Sequence, residues 1–305
     1  MTLKPVNLHL DSVTLQDIEN CKLISTGELR RDLDNLRKLD VSVNRNNFFG
    51  NPFLYHYQFK NLLRCRRDRG KTIYDIWADA DERDKLIHYT REKNRGGRTA
   101  AGNVFECFRI NTGSIVMFKA STAKYLYSKY GARHVLDPTA GWGGRMLGAW
   151  ALGIDYTGMD TNIEMVDAYT GMTDFLYEYD SMGGLLEPQR SLNMVWQSCL
   201  DADFSSIDYD FVLTSPPYIN MELYEHMTAW RSDTDFYYNF LNPLWQKCLD
   251  HIRPGGTVAL NISPKMYEAA LEHGMYPAHD SEDLKQQLGQ QTGKKKQDKI
   301  YLWKK

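Results

Sequence analysis

The sequence predicts an α/β protein whose main domain is built on a mostly parallel β-sheet. From Arg133 onward, short apolar runs alternate with segments of helical periodicity, an order typical of parallel strands joined by helices. The N-terminal third is richer in charge and in helical periodicity. We therefore expect a mainly helical accessory region at residues 1–112 and the sheet domain at residues 113–305.

Each predicted strand is a short apolar run bounded by polar or turn-forming residues. The strands are "HVLD", "YTGMD", "LNMVW", "YDFVLT", "TVALNI" and "KIYLWKK". Helices are expected from about Gly143 to Leu152, across "IEMVDAYTGMTDFLYEY" and across "DFYYNFLNPLWQKCLDHI". The polar segment containing "GKKKQDK" before the last strand is expected to be mobile.

Composition limits the classes of function that the chain can serve. Its 305 residues, 42% hydrophobic and 25% charged, suit one large domain with an appendage. The net charge of -2 gives no general attraction for nucleic acid, so any site for a polyanion must be a local patch.

The cysteine pattern indicates reduced thiols, and the apolar runs indicate neither a membrane span nor a targeting segment. Five cysteines are scattered without a Cys-x-x-Cys pair, which argues against a disulfide framework and against a zinc site, and we expect no metal. No run approaches the length of a membrane span, and the N-terminus lacks the apolar core of a targeting segment. We expect a cytoplasmic protein without a membrane partner.

A glycine-rich turn, "VLDPTAGWGGRMLGA", follows the first strand of the sheet and opens a helix. Glycines at such a turn let the backbone approach a nucleotide-like cofactor. Asp137 precedes them and would repel a pyrophosphate, so it suits a cofactor with a positive or amino group. Asp160 ends the second strand, where an acid can accept ribose hydroxyls. Ser198 and Asp201 follow the third strand and could bind an adenine edge.

The segment "DFVLTSPPYIN" ends the fourth strand with two prolines and a tyrosine. Proline fixes its own φ, and the residue before it is driven to extended geometry, so Ser215 to Tyr218 should form a stiff loop. Each of these turns alone could simply end a strand, and each acid alone could simply cap a helix. Four in order on the carboxyl edge of one sheet favour a ligand site.

With "DPTAGWGG" and "TSPPY" together, the chain resembles the S-adenosylmethionine-dependent amino-methyltransferases of nucleic acids, over roughly residues 113–305. The resemblance implies a Rossmann-like class I methyltransferase sheet with an antiparallel last strand, and S-adenosylmethionine as cofactor. The cofactor-binding residues it implies are Phe118, Lys119, Ser121, Asp137, Thr139, Gly141, Gly143, Asp160, Ser198 and Asp201. The catalytic residues it implies are Ser215, Pro216, Pro217 and Tyr218.

The chemistry implied for this loop is methyl transfer to an exocyclic amine. The Ser215 side chain and the Pro216 carbonyl would accept hydrogen bonds from the two N–H groups of the exocyclic amine of a flipped base. Tyr218 would stack on that base. Serine at the first motif position resembles the cytosine-N4 enzymes, so N4 of cytosine in DNA is favoured over N6 of adenine. RNA, a protein glutamine amide, and a catalytically inactive cofactor-binding or nucleic-acid-binding subunit are the alternatives.

Two basic clusters in the N-terminal region are candidates for contact with nucleic acid. They are "KNLLRCRRDRGK" and "REKNRGGR". Recognition must fall to residues 1 to about 115 or to short loops such as "NMELYEHMTAWRSD", or be weak. We expect phosphate contacts from the denser cluster, although such a run can also be a solvated face. Its residues are Lys60, Arg64, Arg66, Arg67, Arg69 and Lys71.

Overall fold

A seven-stranded β-sheet forms the centre of the protein. The computed structural model describes residues 9–67, 70–93, 99–112, 115–182, 190–219, 222–223, 230–283 and 299–305. Its strands are β1 (Arg66–Arg67), β2 (His134–Asp137), β3 (Asp155–Met159), β4 (Leu192–Val195), β5 (Phe211–Thr214), β6 (Glu222–Leu223), β7 (Thr257–Ile262), β8 (Asp280–Asp283) and β9 (Lys299–Lys304). The large sheet has the order β4-β3-β2-β5-β7-β9-β8, and β1 and β6 pair separately.

The helices lie before the sheet and between its strands. The first six are α1 (Leu15–Asn20), α2 (Thr26–Lys38), α3 (Asn51–Leu63), α4 (Ile73–Ala78), α5 (Ala80–Lys93) and α6 (Ala100–Thr112). The others are α7 (Ala120–Tyr130), α8 (Gly144–Leu152), α9 (Val166–Met182), α10 (Asp233–Phe236), α11 (Asn242–His251) and α12 (Pro264–Glu272). A π-helical turn, Tyr237–Leu241, joins α10 to α11. Among the described helices, none is both long and apolar enough to cross a membrane.

The strand directions confirm the predicted fold class. Strands β2, β3, β4, β5 and β7 are parallel, whereas β9 runs antiparallel to β7. This is the predicted mostly parallel, Rossmann-like sheet with an antiparallel last strand, preceded by the helical region α1–α6. The edge strand β8 and helix α12 were not predicted. All of the "GKKKQDK" segment except its last residue, and most of the "REKNRGGR" cluster, lie outside the described residues.

Alternate residues of the central strands feed two apolar cores, one on each face of the sheet. Val135 of β2 belongs to one core and its neighbour Leu136 to the other, as the two-residue period of a strand requires. Helices α7, α8 and α9 and the N-terminal helices contribute to the first core, and α11 and α12 contribute to the second. The N-terminal region therefore shares a core with the sheet domain.

Two glycines of α8 allow α7 and the segment before it to approach closely. A side chain at Gly144 would clash with the carbonyl oxygen of Phe118, and one at Gly148 would lie 2.6 Å from the Cβ atom of Ala123. Real side chains do not tolerate these separations. The glycines thus fix the Phe118 segment against the start of α8.

Buried charged side chains join the N-terminal helices to the sheet domain. Lys124 of α7 is 5% exposed, and its ammonium donates to the carbonyls of Leu36, Arg37 and Leu39 at 2.9, 2.8 and 2.9 Å. It thereby caps the carbonyl end of α2, where a cation is favourable. The division at residues 112 and 113 stays a prediction.

We expect Lys124→Met to lower the free energy of unfolding by about 2 to 3 kcal/mol, because three helix-end carbonyls lose a charged donor. Urea denaturation measures the change. Lys38→Met is the matched control, since Lys38 is exposed at the end of α2 and should change stability by less than about 0.5 kcal/mol. Equal effects of the two substitutions would contradict this account of the junction.

Candidate functional site

The predicted cofactor and catalytic loops meet at one edge of the sheet. Strands β2, β3, β4 and β5 are parallel neighbours, so the loops that follow them lie along their common carboxyl edge. Open α/β sheets bind ligands at this edge. Most of the residues named from the sequence lie in these loops.

The glycine loop begins at a buried ion pair. Asp137 is fully buried, and its Oδ2 accepts hydrogen bonds from Arg145 Nε and from the Tyr156 hydroxyl, both at 2.7 Å. Burial alone would lower the pKa of Arg145, but the charge and hydrogen bond of Asp137 raise it overall. Asp137 therefore already has a cationic partner within the chain. Arg145 was not singled out in the sequence, although it stands in the first turn of α8.

One carboxylate oxygen in this pair is left over. Asp137 Oδ1 is buried and has no hydrogen-bond partner among the described residues. The same Arg145 donates through its second nitrogen to the carbonyl of Thr139. The ion pair thus holds the glycine loop while it leaves one acceptor unsatisfied.

Asp160, at the end of β3, is tied to the glycine loop. Its two oxygens accept from the N–H groups of Gly141 and Asn162 at 2.9 and 3.0 Å. Loss of solvent raises the pKa of Asp160, and these two hydrogen bonds only partly oppose that rise. Gly141 has a φ of 57°, which favours glycine, and its carbonyl accepts from the Tyr169 hydroxyl at 2.9 Å. The structure therefore brings Asp160 and Gly141 into direct contact, and Gly143 is the N-cap residue that precedes α8.

The segment before α7 faces the loop between α2 and α3. Lys119 donates to Asn46 Oδ1 at 2.6 Å and lies 3.7 Å from the centre of the Phe48 ring, and burial lowers the pKa of its ammonium. Ser121 is fully buried, and its hydroxyl accepts from the Asn47 N–H at 3.0 Å and donates to the Asn47 carbonyl at 2.8 Å. Ser121 therefore anchors this loop.

The turn after β4 contains the two residues predicted beside an adenine. Ser198 Oγ accepts from the Leu200 N–H at 3.3 Å, and Asp201 is exposed. Lys247 of α11 holds the same turn, because its ammonium donates to the carbonyls of Cys199 and Leu200 at 3.0 and 2.6 Å. Lys247 lies far from the turn in sequence, so no local pattern indicated it.

The Ser-Pro-Pro-Tyr loop is attached to the glycine loop and to the neighbouring strand. The hydroxyls of Thr214 and Thr139 are hydrogen-bonded at 2.6 Å. Ser215 Oγ then accepts from Asn261 Nδ2 of β7 at 3.0 Å. Pro216 is buried, while Pro217 and Tyr218 are half-buried, and Tyr218 packs against the second core. The loop is fixed on both sides.

The denser basic cluster lies beside the chain that follows this loop. Strand β1 pairs antiparallel with β6, with Arg66 opposite Leu223 and Arg67 opposite Glu222. The Arg67 side chain and Arg69 lie outside the described residues. This pairing was not expected from the sequence, and it joins the predicted phosphate-binding segment to the strand that follows the Ser-Pro-Pro-Tyr loop.

Acidic residues neutralise part of this basic cluster. Its ion pairs are Lys60 with Glu19 at 3.8 Å, Arg64 with Glu164 at 3.5 Å and Lys71 with Glu82 at 3.6 Å. Arg66 is exposed and donates to the carbonyl of Gly70 at 3.5 Å. Within the described ranges Arg66 has no ion-pair partner, so its charge is the least neutralised among the side chains of the cluster that the structure describes.

Burial disfavours the thiolate form of Cys21, Cys199 and Cys248. Cys65, Cys107, Cys199 and Cys248 are buried, and burial raises the pKa of Cys199 to about 12 and that of Cys21 to about 11. In the part of the chain that the structure describes, no group of three or more His, Cys, Asp or Glu residues is arranged to hold a metal ion.

Comparison with known proteins gives likenesses at the level of the fold. No protein-family model matches the chain, and no curated protein matches it. TrmN from Thermus thermophilus matches with 18% identity and a TM-score of 0.36, over 60% of this chain and 48% of its own, so the chain spans less than half of that protein. An RNA methyltransferase from Salinibacter ruber, in complex with S-adenosyl-L-homocysteine, matches with 13% identity and a TM-score of 0.38. The match covers 62% of this chain and 92% of the methyltransferase. An rRNA methylase from Streptococcus thermophilus matches with 13% identity and a TM-score of 0.36, and the match covers 62% of this chain and 97% of the methylase.

We expect Arg145→Met to lower the free energy of unfolding by about 3 to 5 kcal/mol, because the buried Asp137 carboxylate loses its counter-charge. Tyr156→Phe removes a hydroxyl donor from the same oxygen and should cost about 1 to 2 kcal/mol. Denaturant unfolding of the two variants gives both numbers. A smaller loss in Arg145→Met than in Tyr156→Phe would show that the ion pair does not hold the loop.

Proposed function

We propose that this protein is an S-adenosylmethionine-dependent methyltransferase that acts on the exocyclic amine of a nucleic-acid base. The observation that carries the proposal is the hydrogen bond between Thr139 and Thr214. It places a glycine loop of the "DPTAGWGG" type directly beside a Ser-Pro-Pro-Tyr loop, at the edge where such sheets bind ligands.

The residues at the glycine loop fit the proposed cofactor. Asp137 Oδ1 is a buried acceptor without a partner among the described residues, which suits the ammonium of a methionine group. Asp160 is half-buried, and each of its carboxylate oxygens accepts one backbone N–H and can accept a second hydrogen bond, in the proposal from a ribose hydroxyl. When bound, S-adenosylmethionine supplies a methyl group already activated by its positive sulfur.

The remaining cofactor assignments rest on the resemblance of the motifs alone. They are Phe118, Lys119, Ser121, Thr139, Gly141, Gly143, Ser198 and Asp201. The contacts of Ser121 with Asn47 favour an indirect role for its hydroxyl, because both its donor and one acceptor position are used within the chain.

The Ser-Pro-Pro-Tyr loop supplies what a conjugated amine needs to react. The lone pair of such an amine is delocalised into the base, so two acceptors fixed on its N–H bonds favour a pyramidal nitrogen. Ser215 Oγ and the Pro216 carbonyl are those acceptors in the proposal, and Tyr218 stacks on the base. A stack of this kind contributes about 1 to 3 kcal/mol. Positioning does most of the catalysis.

We propose DNA as the substrate, with N4 of cytosine favoured over N6 of adenine. The choice of base rests on serine at the first position of the loop motif. The pairing of β1 with β6 brings Arg66 beside the chain that follows the Ser-Pro-Pro-Tyr loop, which supports a nucleic-acid substrate. The preference for DNA over RNA rests on the resemblance of the motifs. Two of the similar structures are named as an RNA methyltransferase and an rRNA methylase, so RNA is included as an acceptor in the test.

Ser215→Ala and Tyr218→Ala should each lower the turnover number by at least about 100-fold, because they remove an acceptor and the stacking ring. Turnover is followed as labelled methyl in nucleosides after incubation with separate duplex DNA, single-stranded DNA and RNA pools. Cofactor affinity, measured by calorimetry, should stay within about twofold of the parent, because neither side chain belongs to the glycine loop.

The identity of the product decides between the alternatives. Label in N4-methylcytosine supports the full proposal, and label in N6-methyladenine overturns only the base preference. Label in RNA alone overturns the choice of DNA. Label in 5-methylcytosine or only in protein would contradict the proposed mechanism, and no transfer by a chain that binds the cofactor would support the inactive-subunit alternative.

Arg66→Glu should weaken binding to every DNA sequence and reduce the salt dependence of binding, because phosphate contacts release counterions. The expected change in slope is about 0.9 log units per contact for duplex DNA. Fluorescence anisotropy across a salt series measures it. Arg31→Glu is the control of equal charge change, since Arg31 is exposed on α2. The same slope in both variants would mean that the cluster is a solvated face.

A further inference from the structure

A buried amide on β7 contacts the proposed catalytic serine. Asn261 is 6% exposed, and every residue of β7 is buried. Its Nδ2 donates to Ser215 Oγ at 3.0 Å, whereas its Oδ1 is buried without a hydrogen-bond partner among the described residues. An amide in a fully buried strand is unfavourable unless its polar atoms are satisfied. A role in packing alone would be met better by an apolar residue.

The surroundings of Asn261 restrict what its side chain can serve. It pairs with Ile300 of β9, and Leu260 and Ile262 flank it on its own strand. Ser215 Oγ is the hydrogen-bond partner that the structure gives it within the described residues. The amide is therefore directed at the first residue of the Ser-Pro-Pro-Tyr loop.

We infer that Asn261 is a positioning residue that fixes the Ser215 hydroxyl toward the amine of the target base. This inference rests on the proposed function and deepens it. A serine side chain has three staggered rotamers, and the bond from Asn261 selects one of them. It occupies one lone pair of Oγ and leaves the other for an N–H of the amine.

The backbone on the other side of Ser215 is held independently. Thr214 precedes it and is hydrogen-bonded to Thr139 of the glycine loop. The backbone is thus set relative to the cofactor loop, while the side chain is set from β7. Both constraints are needed to place one acceptor atom within the small tolerance of a methyl transfer.

The test is a double-mutant cycle on the full chain. Asn261→Ala should lower the turnover number by about 10- to 100-fold, as expected for a misplaced reacting group, with cofactor affinity within about twofold of the parent. In a Ser215→Ala background the same substitution should change turnover by less than about twofold, because no hydroxyl remains to be positioned. Multiplicative effects of the two substitutions would overturn the inference.

Thr257→Val is the matched control for a purely structural effect. Thr257 is also 6% exposed and lies on the same strand, at the end away from the site. Its replacement should leave the turnover number within about twofold of the parent, even if the free energy of unfolding falls modestly. An equal loss of turnover in Thr257→Val and Asn261→Ala would assign the effect to the strand and contradict the inference.

A second readout does not depend on turnover. The side-chain NH2 signals of Asn261, assigned by their loss in Asn261→Ala, should shift in Ser215→Ala and stay in place in Tyr218→Ala. Unshifted signals in Ser215→Ala would overturn the contact itself. A parent protein that transfers no methyl to any pool would overturn the proposed function, whereas an active parent with full turnover in Asn261→Ala would overturn only this inference.

Discussion

The buried ion pair between Asp137 and Arg145 is the interaction on which the candidate site depends. It neutralises a carboxylate at the end of the first strand of the sheet and, through the same arginine, holds the carbonyl of Thr139. The Thr139 hydroxyl bonds to Thr214, and the next residue, Ser215, accepts from Asn261 on β7. One chain of polar contacts therefore crosses three strands and sets the separation of the glycine loop and the Ser-Pro-Pro-Tyr loop. A site that works by positioning needs such rigid support.

The N-terminal region contributes to this edge of the sheet as well as to the core. Lys124 caps α2, and Ser121 anchors the loop between α2 and α3 beside Lys119. Strand β1 then pairs with β6, which follows the Ser-Pro-Pro-Tyr loop in sequence. This pairing ties a basic segment to the chain beyond that loop, although acids on neighbouring elements neutralise three members of the segment. In the proposal, recognition of the substrate depends on local charge, in keeping with a net charge of only -2.

Local patterns predicted six strands of the sheet because each is an apolar run with turn residues at its ends. Strand β8 was missed because "DSED" is polar and mostly exposed, and it pairs only with β9 at the sheet edge. The loop residues of the site were predicted because their motifs are continuous in sequence. Arg145, Lys247 and Asn261 were missed because their partners reach them only in the folded chain, and Ser121 shows contacts to Asn47 that no motif could indicate.

The central claim is that one carboxyl edge holds both the cofactor and the acceptor amine. A crystal structure of the protein with S-adenosyl-L-homocysteine tests it most directly. The account predicts ligand density over the glycine loop, with the ribose hydroxyls at Asp160, the amino group at Asp137 Oδ1 and the sulfur facing Ser215 and Tyr218. Density at any other edge of the sheet, or a sulfur atom turned away from Ser215, would contradict it.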